Sequence, residues 1–356
     1  MFFGIRNHLF GLDIGSSSLK LAEVHATGSG YQLLNAGMIP LPPDAIVEGA
    51  IMNASVVVEA IRNLLETCKP RTRNVATSVS GHSVIIKKIS LPNMSREELA
   101  QSIQWEAEQY IPFNIHDVNL DYQIISSRAA AKEEASDQMS VLLVAAKKDL
   151  VEDYAALLRE AGLRPVIIDV GSFAVENMYE ANYETEEEEL VAIFNIGASV
   201  TNINVFKSGV SLFTRDIHFG GNQFNEEIQK ELNLGYREAE QLKLGVPGQE
   251  APRMEVQEIL GRVTEALLNE VQRSLEFFAA TSGDQRIHKV VLCGGCSCLP
   301  GLVDKTEDRL GIPVELADPF RKAKVDFSRW KPDYLRGVAP FMGVSMGLAI
   351  RRVGDQ

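Results

Sequence analysis

No apolar run in this sequence approaches the roughly 20 residues that a membrane helix needs. The opening stretch, MFFGIRNHLF, has a single Arg and lacks the apolar core and small-residue cleavage site of a secretory signal. Both absences predict a protein that stays in the cytosol. Basic residues are outnumbered, 35 Lys and Arg against 48 Asp and Glu, for a net charge of -13. Nucleic-acid binding needs clustered cations facing phosphates, so this balance argues against DNA or RNA as a partner. Cysteine is scarce. Cys68, Cys293, Cys296 and Cys298 fit reduced thiols better than a disulfide framework. No G-x-x-x-x-G-K-[ST] occurs, which excludes a P-loop. No G-x-G-x-x-G follows a strand and opens a helix, which argues against a dinucleotide fold.

What is present is an ordinary globular balance, 45% hydrophobic and 23% charged, over 356 residues. That length exceeds what one core usually serves and predicts two or more subdomains. The stretch GLDIGSSSLK at 11–20 is echoed by NIGASVT at 195–201. Each copy joins a strand to a second strand through a turn of small residues. The first pair reads as Leu9–Asp13 and Ser18–Val24, the second as Ala192–Asn195 and Asn202–Phe206. After the first pair, the pattern predicts a loop carrying Pro40, Pro42 and Pro43, a helix over Ala54–Cys68 and a strand near Val75–Ser80. From Ser83 a compact insert is expected. A strand at Val84–Ser90 precedes a helix whose start is marked by a capping box of Ser95 and Glu98. Leu99, Ile103, Ala107, Tyr110 and Ile111 share one face of that helix. Strands near Leu120–Ser126 and Val141–Ala145 flank a polar linker, Arg128–Gln138. A helix over Leu150–Ala161 and a strand over Pro165–Asp169 follow. The acidic run ETEEEEL at 184–190 reads as a solvated boundary loop. Between Gly220 and Gly283 the chain is mostly helical, with an amphipathic run near Met254–Ala280. A short strand, Val290–Leu292, comes next. The tail GVAPFMGVSMGLAIRR reads as a helix with small residues interleaved.

Turns of Gly and Ser leave backbone N–H groups free and admit a ligand closely. Two such turns facing one another across a cleft would grip a phosphate chain from both sides. The polar residue ending each first strand would then sit where a magnesium-bound water is held. The candidate phosphate contacts are Asp13, Gly15, Ser16, Ser17, Ser18 and Lys20 in the first turn. In the second they are Asn195, Gly197, Ala198 and Thr201. Taken singly, either turn is an ordinary hairpin. A third element, LCGGCSCLPGL at 292–302, ends a strand in Gly-Gly and offers Gly294, Gly295, Ser297 and Leu299 to a base or ribose. A fourth, AEQLK at 239–243, puts Glu240 and Lys243 on one helix face, as sugar contacts or as a plain surface ion pair.

Three other features compete for a role. Cys293, Cys296 and Cys298 with His288 invite a zinc reading, but metal sites usually draw ligands from two separated loops. Trp105 lies about 240° around its helix from Leu99, off the apolar face. Packing against a neighbouring sheet is its first reading, and a partner surface beside the acidic Glu106 and Glu108 its second. No histidine clusters with another in sequence, and none is assigned to catalysis.

Together the four elements resemble the actin–hexokinase–chaperone ATPase superfamily. The resemblance implies two ribonuclease H-like α/β halves around a nucleotide cleft. Asp13, Gly15, Ser16 and Lys20 match the first phosphate loop, Gly197 and Thr201 the second, and Gly294, Gly295, Pro300 and Gly301 the adenosine loop. Glu240 and Lys243 look like the nucleoside-contacting pair of bacterial actins. Asp169 falls near a water-orienting acid and becomes the candidate catalytic residue. A closer resemblance rests on GLDIGSSSLKLAEV, WEAEQYIPF, NIGASVTNINVF and EAEQLK. These are similar to the type IV pilus assembly family PilM, in the FtsA branch, whose inserted subdomain replaces the usual actin one. The implied divisions are 1–82, 167–190 and 337–356 for subdomain 1A, and 83–166 for the insert. Residues 191–220 with 284–336 would form 2A, and 221–283 the helical 2B.

The resemblance implies binding of ATP or ADP with Mg²⁺, the metal held by Asp13 through water. It also implies docking of the N-terminal peptide of a PilN-type membrane protein between the insert and the first subdomain, with pilus motor ATPases as further partners. Attachment to the inner face of the inner membrane would then run through a partner, without direct insertion. The second loop departs from the family in having Asn195 where Asp is usual. An amide accepts a hydrogen bond but supplies no charge to hold magnesium or polarise water, so binding without fast hydrolysis is expected. The competing expectation is an active enzyme, either a filament-forming ATPase or a small-molecule kinase.

Overall fold

A computed structural model describes residues 8–354 apart from 29, 126–137, 187, 246–252 and 284. All of the expected linker Arg128–Gln138 except Gln138 lies outside the described residues. Strands β1 (Phe10–Ile14), β2 (Ser18–Thr27) and β3 (Gly30–Pro40) form an antiparallel meander. A small hairpin, β4 (Ile46–Val47) and β5 (Ala50–Ile51), leads to α1 (Ala54–Cys68). Asn53 caps α1 by accepting from the Val56 N–H, and Val57, Ile61, Leu64 and Leu65 bury one face of it. Strand β6 (Asn74–Val79) then returns parallel to β1.

The insert follows as β7 (Val84–Pro92), α2 (Arg96–Glu108), β8 (Val118–Ile125) and β9 (Gln138–Lys147), its sheet in the order β7-β9-β8. The Ser95–Glu98 capping box forms at the start of α2. Leu99, Ile103, Ala107 and Ile111 pack on Ile89, Leu91, Val141, Leu143 and Ala145 in a small core of their own. Helix α3 (Lys148–Glu160) does not belong to that core. Its Tyr154, Leu157 and Leu158 pack with α1 and β1, so the insert ends near Lys147 rather than at 166. Trp105 is 76% exposed, which corrects its reading as a core residue.

Strand β10 (Arg164–Val170) runs parallel to β6, and α4 (Gly171–Asn182) leads into the second half. There β11 (Leu190–Ile196), β12 (Thr201–Lys207) and β13 (Val210–Ile217) form a second antiparallel meander. Helices α5 (Gly221–Leu232), α6 (Tyr236–Lys243) and α7 (Arg253–Thr281) follow. Then come β14 (Lys289–Cys293), a 3₁₀ turn at Gly295–Cys298, α8 (Leu302–Leu310) and β15 (Val314–Leu316). Helix α9 (Pro332–Val338) and α10 (Gly343–Ala349) close the chain back onto the first half.

The two sheets have one topology. The first is ordered β3-β2-β1-β6-β10 and the second β13-β12-β11-β14-β15, each with a three-strand meander and two parallel strands. A core between them joins Met178 and Tyr179 of α4 to Val191, Ile193 and Phe206, and to Met342 and Leu348 of the C-terminal segment. Here α10 lies against α4 so closely that a Cβ on Gly347 would sit 1.6 Å from the Ala174 carbonyl oxygen. The small residues of the tail are therefore a packing device.

Candidate functional site

The two hairpins match residue for residue. In the first, Asp13 faces Lys20 and Ile14 faces Leu19. In the second, Asn195 faces Asn202 and Ile196 faces Thr201. The turns close alike, with the Gly15 N–H donating to the Ser18 carbonyl at 3.2 Å and the Gly197 N–H to the Val200 carbonyl at 3.0 Å. Asp13 and Lys20 form an ion pair at 3.1 Å. At the equivalent place the second hairpin has two neutral amides, the Asn195 Nδ2 donating to Asn202 Oδ1 at 3.4 Å. Strand alternation then sorts the candidates. Thr201 stands where Leu19 stands, both fully buried, and its hydroxyl donates to the Phe219 carbonyl at 2.7 Å. Thr201 thus holds its loop from the core side and does not face a ligand, which corrects its assignment as a phosphate contact. Asn202 stands on the opposite face of the strand, across from Asn195. Ser18 is also buried, and its part is to close the turn, while Ser17 is exposed at the tip.

The tips meet. Ser199 donates its hydroxyl to the Ser16 hydroxyl oxygen at 3.1 Å, and Asn222 of α5 donates to Ser199 at 3.2 Å. The start of α5 is built onto the second tip, with the Gly221 N–H on the Gly197 carbonyl and the Asn222 N–H on that of Ala198. From α6, Lys243 reaches back to the Gly221 carbonyl at 3.3 Å while paired to Glu240 at 2.6 Å. Asn225 of α5 donates to the same Glu240 oxygen at 2.6 Å. Lys243 is 5% exposed, which removes the surface-pair reading. A buried ammonium held by one carboxylate and one carbonyl is a fixed positive charge beside the second tip.

The Gly-Gly loop closes the site. Gly294 has φ +85, and a Cβ there would lie 2.4 Å from the Ile196 carbonyl oxygen and 2.7 Å from Asn195 Oδ1. Only glycine lets this loop lie flat against the second hairpin. Ser297 and Leu299 are buried and turned inward, Ser297 donating to the Gly294 carbonyl at 2.6 Å. They shape the loop from within. Burial pushes the Cys296 thiol up to about 12 and raises Cys293 further still. His288 is occupied elsewhere, its Nδ1 accepting from the Leu190 N–H at 2.9 Å.

Asp169 is not part of this assembly. It lies at the end of β10 in register with Ser78, and its carboxylate pairs with Arg351 at 3.2 Å. Burial raises its pKa, with Arg351 opposing. It lines a separate cavity of about 780 Å³ between the insert and the first sheet, together with Asp121, Leu142, Val144, Phe173, Glu176 and Arg351. Its described partners include none of the hairpin residues, so the water-orienting reading gives way to an ion-pairing one. Trp105 does not line that cavity either.

The family model for type IV pilus assembly protein PilM matches residues 11–353. The chain belongs to the PilM family. It is 31% identical to a chain of the solved PilM-PilN type IV pilus biogenesis complex, covering 98% of this chain and 100% of that one, with a TM-score of 0.87. The cell division protein FtsA of Pseudomonas aeruginosa is 24% identical, over 94% of this chain and 88% of its own. MreB5 of Spiroplasma citri bound to ADP shares the fold at 14% identity, with a TM-score of 0.53 over 96% and 95% of the two chains. The fold is thus the actin-like ATPase fold, in its FtsA-like branch, and the family places this chain in type IV pilus assembly. No helix among the described residues is long and apolar enough to cross a membrane.

Within this PilM-family chain, three site residues escape a reading of motifs alone. Asn202 was countable, since it follows Gly197 by the same interval that separates Lys20 from Gly15. Ser199 sits in the quoted turn but was masked by its neighbour Ala198. Asp216 on β13 has no local signature. It accepts from Asn202 Nδ2 at 2.6 Å and from the Gly81 N–H at 2.9 Å, tying the second hairpin to the base of the insert.

Proposed function

We propose that this chain is an ATP-binding adaptor of the type IV pilus inner-membrane platform. The observation that carries the reading is the Ser16–Ser199 contact, which brings two equivalent glycine turns from opposite halves to one point. The donors gathered there fit a polyphosphate: the Lys20 ammonium, the hydroxyls of Ser16, Ser17 and Ser199, the Asn195 and Asn202 amides, and Lys243 behind the second tip. Asp13 is the one carboxylate in the paired hairpin positions and would hold magnesium through water. Bound there, the metal would supply positive charge that offsets the charge of the phosphates. Asn195 adds no second charge, which supports slow turnover.

The cavity between the insert and the first sheet fits the other half of the reading. It has an apolar wall from Leu142, Val144 and Phe173 and an exposed acid at Asp121. This suits a short peptide with apolar and basic side chains, and the N-terminal peptide of a PilN-type protein is the proposed occupant. Asp216 links the two sites through Gly81, so a nucleotide that draws on Asn195 and Asn202 shifts the insert's base by its differential affinity for the two arrangements. Titration calorimetry with ATP and magnesium, then with a synthetic PilN N-terminal peptide, tests this. Saturable binding of both with negligible phosphate release supports it. Fast phosphate transfer to a small hydroxylated substrate, or no peptide binding, overturns it.

A further inference from the structure

The outer edge of the first sheet is only half covered. Strand β3 pairs β2 on one side over its full length. On the other side the chain's own segment at Lys324 lies alongside in parallel, its N–H donating to the Tyr31 carbonyl at 2.7 Å and its carbonyl accepting from the Leu33 N–H at 3.0 Å. That pairing ends at Leu33, next to the β-bulge opposite Glu23 and Val24. Beyond it, Asn35–Ile39 line the floor of a cleft of about 600 Å³. The C-terminal end of α1 forms one wall and Arg329, Trp330 and Tyr334 the other. A strand edge without a backbone partner is a template for one more strand; here it lies at the bottom of the cleft, with Asn35, Ala36 and Gly37 buried and Met38 exposed. Here the edge has already accepted one backbone bridge, from the chain's own Lys324.

The walls specify the occupant. Lys69, Arg71 and Arg329 line the cleft, and no Asp or Glu does. Three cations without a lining carboxylate stand out in a chain whose net charge is -13. Lys69 and Arg329 are exposed, and the Arg71 backbone is fixed by donating its N–H to the fully buried Glu23 at 2.9 Å. Trp330 and Tyr334 stack at 6.1 Å, with Tyr334 and Met38 both exposed, giving apolar surface beside the charges.

We propose that this cleft is a second docking site, distinct from the insert groove. Its occupant is an extended, acidic segment of a partner protein that adds as a strand beside Asn35–Ile39. Backbone pairing supplies the affinity, and carboxylates projecting to both faces of the added strand, toward Lys69 and Arg71 on one side and Arg329 on the other, supply the specificity. The probe is a labelled peptide of about seven Val and Glu residues that carries Glu on both faces, long enough at ~3.3 Å per residue to run the edge at Asn35–Ile39. Fluorescence anisotropy measures its binding to the full chain, with a Val and Lys peptide beside it. The Glu peptide is expected to bind and the Lys peptide to fail. Arg71→Glu with Arg329→Glu, both on exposed side chains, is expected to weaken binding at least tenfold while leaving ATP binding unchanged. Amide hydrogen exchange is expected to slow at 35–39. Equal binding of both peptides, indifference to the charge reversals, or protection that maps to the insert cavity overturns the proposal. So does full displacement by tripolyphosphate with no slowing at β3, which would mark a small-anion site.

Discussion

Ser199 donates to Ser16 at 3.1 Å, and that single contact joins two turns whose strands belong to different sheets. Under the proposed function, both hydroxyls would donate to one phosphate. Replacing either Ser by Ala is expected to weaken ATP binding about fivefold, the worth of one hydrogen bond near 1 kcal/mol. The double substitution should cost less than the product of the two, because both act on one group. Titration calorimetry on the four proteins checks this. Independent effects would place the two hydroxyls on separate partners.

Asn195 and Asn202 stand opposite one another as Asp13 and Lys20 do, but carry no charge. Asn195→Asp alone places a carboxylate beside the Gly294 loop with only Asn202 to answer it, and Asn202 already donates to Asp216. It should lower the thermal midpoint and raise phosphate release. Asn195→Asp with Asn202→Lys rebuilds the pair of the first hairpin and should recover part of the lost stability. Differential scanning fluorimetry and a phosphate-release assay separate the two effects. Unchanged hydrolysis in Asn195→Asp would show that the missing charge is not what limits turnover.

The hairpins, the insert and the Gly-Gly loop were legible because each is local: a strand pattern, a glycine turn or a capping box within a few residues. Strand β3 was not, since Gly30, Asn35 and Gly37 inside it read as loop residues. Helix α4 was hidden for a different reason. It buries Ala174, Val175, Met178 and Tyr179 along with Glu176 and Asn182, so both sides are covered and no amphipathic stripe forms. Thr201 depends on register: its motif groups it with the phosphate contacts, and strand alternation turns it to the core. Asp216 and Arg351 act across long sequence separations, and only the assembled fold brings them to their partners.

Glu176 gives the junction of the halves a pH dependence. It is 6% exposed, and burial pushes its carboxyl up to about 8 from an ordinary 4.5, although Asn204 of β12 donates to it at 2.9 Å. Glu180 and Asp169 push in the same direction. A carboxyl whose pKa is raised by folding contributes its full stability below pH 4.5 and loses it as pH climbs toward 8. The loss is at most about 1.4 kcal/mol per pH unit across that window. Glu176→Gln keeps an acceptor for Asn204 and cannot ionise. Its melting temperature relative to the parent is expected to rise steadily between pH 5 and pH 8. A difference that stays flat with pH would mean that Glu176 remains ionised in the fold.

Asp169 and Arg351 make the opposite case, a pair in which the two single losses should differ. Asp169→Asn leaves Arg351, which is 24% exposed and keeps some water, so the cost is expected near 1–2 kcal/mol. Arg351→Met leaves a carboxylate that is 8% exposed with its compensating cation gone. Its pKa, already raised by burial, then rises further. The penalty of Arg351→Met should therefore grow as pH rises above the ordinary aspartate value of 3.8. Neither change touches the hairpins, so ATP affinity should hold in both proteins. Denaturant titrations across pH, with calorimetric ATP binding beside them, check both halves of the argument. A selective loss of phosphate release in Asp169→Asn at full ATP affinity would return Asp169 to the role of water-orienting acid.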